Sequence, residues 1–175
     1  DLQQDHCDIA MFGIGITPAR QKSLRFSQPY LASDIYAITT KSNRRIKQWE
    51  DIDQPGRVVA IAKGTLHESL MKKKLRTAQL LILNTPFARE QAVQSGRADL
   101  FITDYPYSNG FLKNAEWARI VVPQTTYHIT PYAYAMLPGD NLWHQRIESF
   151  MKDIKQDGRL MKSAKRFSLD TILIK

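Results

Sequence analysis

The chain has 175 residues, 43% hydrophobic and 24% charged, which is enough for one ordinary domain or two small lobes and excludes an intrinsically disordered chain. Its formal net charge of +8 is dispersed, and the one dense basic run, MKKKLR at 71–76, reads as a solvated helix face, so no nucleic-acid role is inferred. The single Cys7 excludes an internal disulfide and a multi-cysteine metal site, and no apolar run approaches the roughly 18 residues of a membrane-spanning helix.

In chain order, CDIAMFGI at 7–14 reads as a mostly apolar, buried strand, followed by a helical turn over 18–26 with Pro18 near its start. A proline costs nothing there, because the first N–H groups of a helix have no partner inside it. SDIYAITTK at 33–41 is a β-rich run, and IKQWEDIDQPG a short helix stopped by Pro55-Gly56. RVVAIAKGT reads as a strand, HESLMKKKLR as a helix, QLLILN as a strand, PFAREQAVQSG as a helix and ADLFITD as a strand. Strands alternating with helices of this length predict a parallel α/β sheet. After a loop rich in proline and tyrosine, YAYAMLP is one more strand.

An amphipathic helix follows, with Leu142, Ile147, Phe150, Met151 and Ile154 on one stripe. Asp140 or Asn141 caps its start, and Gly158 stands where a left-handed C-terminal cap belongs. RLMKSAKRF is a last helix before the tail SLDTILIK.

Most catalytic and cofactor patterns are missing. Gly13 and Gly15 form a GxG, but the third glycine and the acidic residue of a dinucleotide site are lacking. In a phosphate-binding loop lysine follows the glycine, whereas Lys63 precedes Gly64. The four histidines have no metal-ligand spacing, and neither Ser27 nor Ser69 lies in a nucleophile-elbow context. The expectation is therefore no metal, no cofactor and no catalysis.

Three places at strand ends remain. Gly13 and Gly15 with Arg20 place exposed backbone N–H groups beside a rigid five-donor fork, a pairing that suits a carboxylate. Gly64-Thr65 enters a helix, whose leading N–H groups and positive dipole end favour an anion. Asp104 closes ADLFITD, where a carboxylate can take an ammonium group. Ligands of open parallel sheets bind at the carboxyl ends of strands, and an anion seat with a counter-carboxylate describes an α-amino acid. The plain readings stand beside these: Arg20 as a surface charge, Thr65 as a helix cap, Asp104 as a loop cap.

CDIAMFGIGITPARQKSLRFSQPY, WEDIDQPGRVVAIAKGT and SGRADLFITD, in that order, resemble the family-3 bacterial periplasmic solute-binding proteins, which bind polar amino acids for ABC importers. The resemblance extends through the last helices. It implies a periplasmic protein with two α/β lobes that close on the ligand like a flytrap. Residues 1–34 and 136–175 would belong to the first lobe and 41–127 to the second, with crossover strands near 33–40 and 128–135. The family carries a further segment before this point, so the chain resembles an N-terminally truncated member whose first lobe is incomplete.

By the same resemblance Arg20 clamps the ligand's α-carboxylate, and Gly13 and Gly15 lie on the segment that lends backbone groups. Thr65, with the Leu66 amide, caps the carboxylate from the second lobe, and Asp104 holds the α-ammonium. Gly15 departs from the family, which often has a hydroxyl side chain there. The partner would be an ABC permease or, equally open, the output domain of a membrane signalling protein. EDIDQPG and GRADLFITD also resemble the cyclohexadienyl dehydratases, which aromatise prephenate or arogenate on the same fold. That branch relies on a glutamate near the second crossover, where this chain has Tyr132.

Overall fold

The computed structural model describes residues 2–4 and 6–174. The chain divides into two compact units, Asp1–Ser33 with Ile129–Lys175, and Asp34–His128. Along the first unit run α1 (Pro18–Gln21), β1 (Arg25–Phe26) and β2 (Leu31–Ser33). The second unit holds β3 (Ile35–Thr40), β4 (Val58–Ala62), α2 (Leu66–Lys74), β5 (Gln79–Leu83) and α3 (Pro86–Gln94). It is completed by β6 (Leu100–Asp104), α4 (Tyr105–Leu112) and β7 (Ala118–Val121). The chain then returns to the first unit with β8 (Thr130–Tyr132), β9 (Ala135–Met136), α5 (Asn141–Gln156) and α6 (Arg159–Arg166).

In the second unit five strands form one sheet in the order β5-β4-β6-β3-β7. Side chains alternate across it. Val59, Ile61, Leu100 and Ile102 pack with Leu70 and Met71 of α2 on one face. Ala60 and Phe101 pack with Ala92 and Val93 of α3 on the other, as the two-residue period of a strand buried on both sides requires. The sheet is mixed, which corrects the all-parallel expectation. β4 runs parallel to β5 and β6, whereas β3 is antiparallel to both β6 and β7. Tyr105–Leu112, read from sequence as loop, is a helix, and Ala118–Val121 is a strand. The short helix expected after Ile46 is a 3-10 turn at Trp49–Asp51.

Asp34 joins the start of this unit to its end. Its Oδ1 accepts from the backbone N–H of Ile35 and of His128, both at 2.7 Å, and its Oδ2 from Tyr127 N–H at 2.8 Å. Hydrogen bonds to a charged acceptor are worth about 1.5–3 kcal/mol each, and stranded donors cost further. Asp34→Ala should therefore lower the unfolding free energy by roughly 2–4 kcal/mol, with Asp34→Asn less damaging. Urea denaturation reads this directly; a loss too small to resolve would mean that water satisfies the three donors equally well.

In the first unit the segment 130–136 is the centre of an antiparallel arrangement. β8 pairs with β2 and β9 with β1, while Ala10 and Gly15 bridge to Ala135 and Tyr132 on the other side. The strand expected over 7–14 is thus reduced to an isolated bridge at Ala10, with a second just beyond it at Gly15. Five residue steps separate Ala10 from Gly15, against three from Tyr132 to Ala135, so two extra residues bulge out. Gly13 absorbs the turn at φ +55, a conformation costly for a residue with a Cβ, and Phe12 is left 91% exposed.

α5 covers this unit with Ile147, Met151 and Ile154 against Tyr30, Tyr132 and Met136. Leu142 and Phe150, expected on the same stripe, are 80% and 42% exposed, so the packed face is narrower than the apolar one. Asp140 Oδ1 accepts from Trp143 N–H at 2.8 Å, and Gly158 adopts φ +81, as the capping pattern predicts. Among the described residues no helix is long and apolar enough to cross a membrane.

Candidate functional site

The first unit gathers Gly13, Gly15 and Arg20. Thr17 stands at the N-cap of α1 with its hydroxyl accepting from Arg20 N–H at 3.2 Å, and Pro18 follows it. That turn brings the Arg20 side chain back, so that Nη1 donates to the Gly15 carbonyl at 2.9 Å. Gly15 is buried and Arg20 partly buried, so the arginine is seated rather than trailing in solvent. A guanidinium carries five N–H donors in a fixed plane, and the bond to Gly15 orients that plane. The bulge before it is anchored as well, since the Tyr30 hydroxyl donates to the Met11 carbonyl at 3.2 Å. Burial, helped by the neighbouring Tyr134, pushes the Tyr30 phenol up to about 12, against a smaller opposing effect of the Gly13 backbone. The anchor stays a proton donor throughout the physiological range.

The second unit gathers Thr65, Leu66 and Asp104. β4 and β6 are neighbours and run parallel, paired at Val59–Leu100 and Ala60–Phe101, so their carboxyl ends share one edge of the sheet. From β4 the chain passes through α2 to β5 on one side, and from β5 through α3 back to β6 on the other. That reversal is the switch point at which open α/β sheets seat their ligands. α2 and α4 both begin there.

Thr65 caps α2: its hydroxyl accepts from Glu68 N–H at 3.4 Å and donates to the Ala62 carbonyl at 2.7 Å. Leu66 is the first residue of that helix, a position whose N–H has no intrahelical acceptor. Asp104 caps α4, with Oδ1 accepting from Tyr107 N–H at 3.0 Å. The plain capping readings of Thr65 and Asp104 are therefore real, and each cap also fixes the orientation of a polar group at the switch point.

One expected donor is occupied. Gly64 N–H, read as open to an anion, donates to Glu68 Oε2 at 2.6 Å. The Lys72 ammonium, bonded to the other Glu68 oxygen at 2.6 Å, and then Gly64 N–H hold the Glu68 carboxyl below the usual range. The spacing Thr65-x-x-Glu68 is the sequence signal for this: a hydroxyl cap followed three residues later by glutamate. Tyr36 and Tyr105 lie beside the same strand ends. Their rings lie 6.1 Å apart, on the residues next to Ile35 and Asp104, which are paired in the sheet. Among the described residues no cluster of three or more His, Cys, Asp or Glu could hold a metal ion.

Comparison with known proteins places the fold and the family. A cyclohexadienyl dehydratase of Pseudomonas aeruginosa is 30% identical over 161 residues, covering 91% of this chain and 60% of that protein. An amino-acid-binding protein, AabA, of Dichelobacter nodosus is 28% identical over 170 residues, covering 95% of this chain and 66% of that one. The chain thus spans less than two thirds of these relatives. Among solved structures, the amino acid ABC transporter substrate-binding protein AbpA of Streptococcus pneumoniae, bound to L-arginine, matches with a TM-score of 0.83 and 25% identity, over 96% of this chain and 72% of that one. The α/β fold is that of amino-acid-binding proteins, and the relatives include both binding proteins and enzymes. The profile of the bacterial extracellular solute-binding proteins, family 3, matches residues 1–170, and the chain belongs to that family.

Proposed function

We propose that the chain binds an α-amino acid without catalysis, as the extracytoplasmic solute-binding component of an ABC importer. In the first unit, Arg20 with backbone groups of the Gly13–Gly15 segment is assigned as a seat for the ligand's α-carboxylate; in the second, the Thr65–Leu66 cap is assigned as a carboxylate seat of its own. The ligand's α-ammonium is assigned to Asp104. The observation that carries this reading is the switch point of the second unit, where a helix-capping hydroxyl and a carboxylate stand at the ends of adjacent parallel strands. Within the first unit, the seated guanidinium of Arg20 offers an anion partner of its own. Family membership and the arginine-bound relative support the ligand class.

The same binding would serve the sensing domain of a membrane signalling protein, and the ligand chemistry does not distinguish the two. Catalysis is the weaker reading, although one relative is a dehydratase. Proton transfer needs a positioned group that titrates near the working pH. From Tyr127 to Gly139 the chain has no acidic residue, and Tyr132, at the position where a glutamate is expected, is buried at 3% exposure.

A thermal-shift panel of the common L-amino acids on the full-length protein tests the proposal. Ligand present at a hundredfold excess over Kd stabilises the folded state by about 2.7 kcal/mol, an unmistakable shift. Incubation with prephenate and with arogenate runs in parallel. No amino acid giving a shift, or turnover of either compound, would overturn the reading.

A further inference from the structure

Two ionisable residues in the core of the second unit have no part in the ligand set just assigned. Arg89 and Glu90 of α3 are 4% and 6% exposed. Buried charge is kept only where partners compensate for lost hydration. Arg89 Nε donates to Glu90 Oε1 at 2.8 Å, and Arg89 Nη1 donates to the Ile102 carbonyl at 3.0 Å. The guanidinium also lies over the rings of Phe101 and Tyr107, at 4.9 and 4.6 Å. The Tyr107 hydroxyl donates to the same Glu90 oxygen at 2.8 Å. Glu90 Oε2 is buried with no hydrogen-bond partner among the described residues, a cost that packing alone gives no reason to keep.

The network's outer contacts fall on either side of Asp104. Ile102, which receives Arg89, lies two residues before it on β6. Tyr107, which is bound to Glu90, lies three residues after it on α4, and its backbone N–H donates to Asp104 Oδ1. Tyr107 is thus held at both ends, by hydroxyl to the buried Glu90 carboxylate and by amide to the half-buried Asp104 one. We infer that Arg89, Glu90 and Tyr107 are positioning residues that hold the first turn of α4 so that the Asp104 carboxylate faces a ligand cation. This rests on the assignment of the α-ammonium to Asp104. A carboxylate fixed before the ligand arrives loses less freedom on binding than one that must be ordered by it.

The test compares the common L-amino acids with the 2-hydroxy acids of the same side chains, by calorimetry on the full-length protein. Tyr107→Phe removes one hydroxyl, and Glu90→Gln keeps the shape while changing the acceptor. Each should weaken the best-binding amino acid about fivefold to tenfold, the scale of one hydrogen bond, and leave its hydroxy acid within about twofold. In an Asp104→Asn background Tyr107→Phe should add no further selective loss, since both act on one contact.

Equal losses for both ligand classes in Tyr107→Phe, or none for either, would overturn the network's role while leaving the Asp104 assignment intact. An Asp104→Asn protein that shows no selective loss of its own would instead overturn the assignment beneath it. Because the readout is a ratio between two ligands of one protein, a general loss of stability in a variant does not mimic the expected result.

Discussion

Arg20→Ala is expected to weaken amino-acid binding by about 2–5 kcal/mol, the usual loss when one partner of a buried, hydrogen-bonded charge pair is removed. The guanidinium is partly buried and already oriented, with Nη1 on the Gly15 carbonyl at 2.9 Å. Its plane is therefore set before an anion arrives. Arg20→Lys should be nearly as damaging as Arg20→Ala, because an ammonium offers a point charge and cannot present two parallel N–H bonds to a carboxylate. Calorimetry on the full-length protein measures both variants against the wild type. The bland alternative also makes a prediction: if Arg20 only braces Gly15, the variants lose thermal stability while amino-acid affinity stays unchanged, and that outcome would sink the clamp.

The parts of the fold that were legible in the sequence are those in which local pattern and tertiary packing agree. β4, β5 and β6 are short apolar runs bounded by turn residues, and α5 carries a capping aspartate and a terminal glycine, so each could be read without its neighbours. Strand direction could not. A two-residue period is the same in either orientation, and β3 lies antiparallel only because of where the chain enters the sheet.

The helix α4 was hidden by its own composition, since Pro106, Ser108, Asn109 and Gly110 are all turn formers. It forms because Asp104 caps it, because Pro106 sits in the first turn where no N–H is needed, and because Phe111 and Tyr107 pack on Phe101. Packing overrides propensity there. In the other direction, the apolar run Ile9–Phe12 promised a strand that a two-residue bulge prevents.

The candidate residues at the switch point were legible as strand-end polar groups, while their supports were legible only in part. Arg89 lies three and four residues before Ala92 and Val93, so the helical period already puts a charge on the buried stripe of α3. Its partner Tyr107 is set by the fold of α4 and could not be foreseen. Glu68 could have been, from its spacing to Thr65.

Asp104→Asn should divide amino acids from their deaminated counterparts. An ammonium held by a carboxylate makes a charge-assisted hydrogen bond, about twice as strong as a neutral one, and asparagine keeps the size and the capping oxygen while removing the charge. The cap itself should survive, because the Tyr107 N–H that Asp104 Oδ1 accepts at 3.0 Å can be accepted equally by an amide oxygen, and asparagine ranks with aspartate at such positions. Fold stability is therefore expected to change little. Amino-acid affinity should fall by about 2–5 kcal/mol, as for the loss of any buried charged partner. The corresponding 2-oxo and 2-hydroxy acids carry no cation, so for them the lost charge removes no attraction, and their affinity should hold or rise as carboxylate–carboxylate repulsion is relieved. Paired calorimetric titrations with the two ligand classes decide it: an equal loss for both would make Asp104 a structural cap of α4 and nothing more.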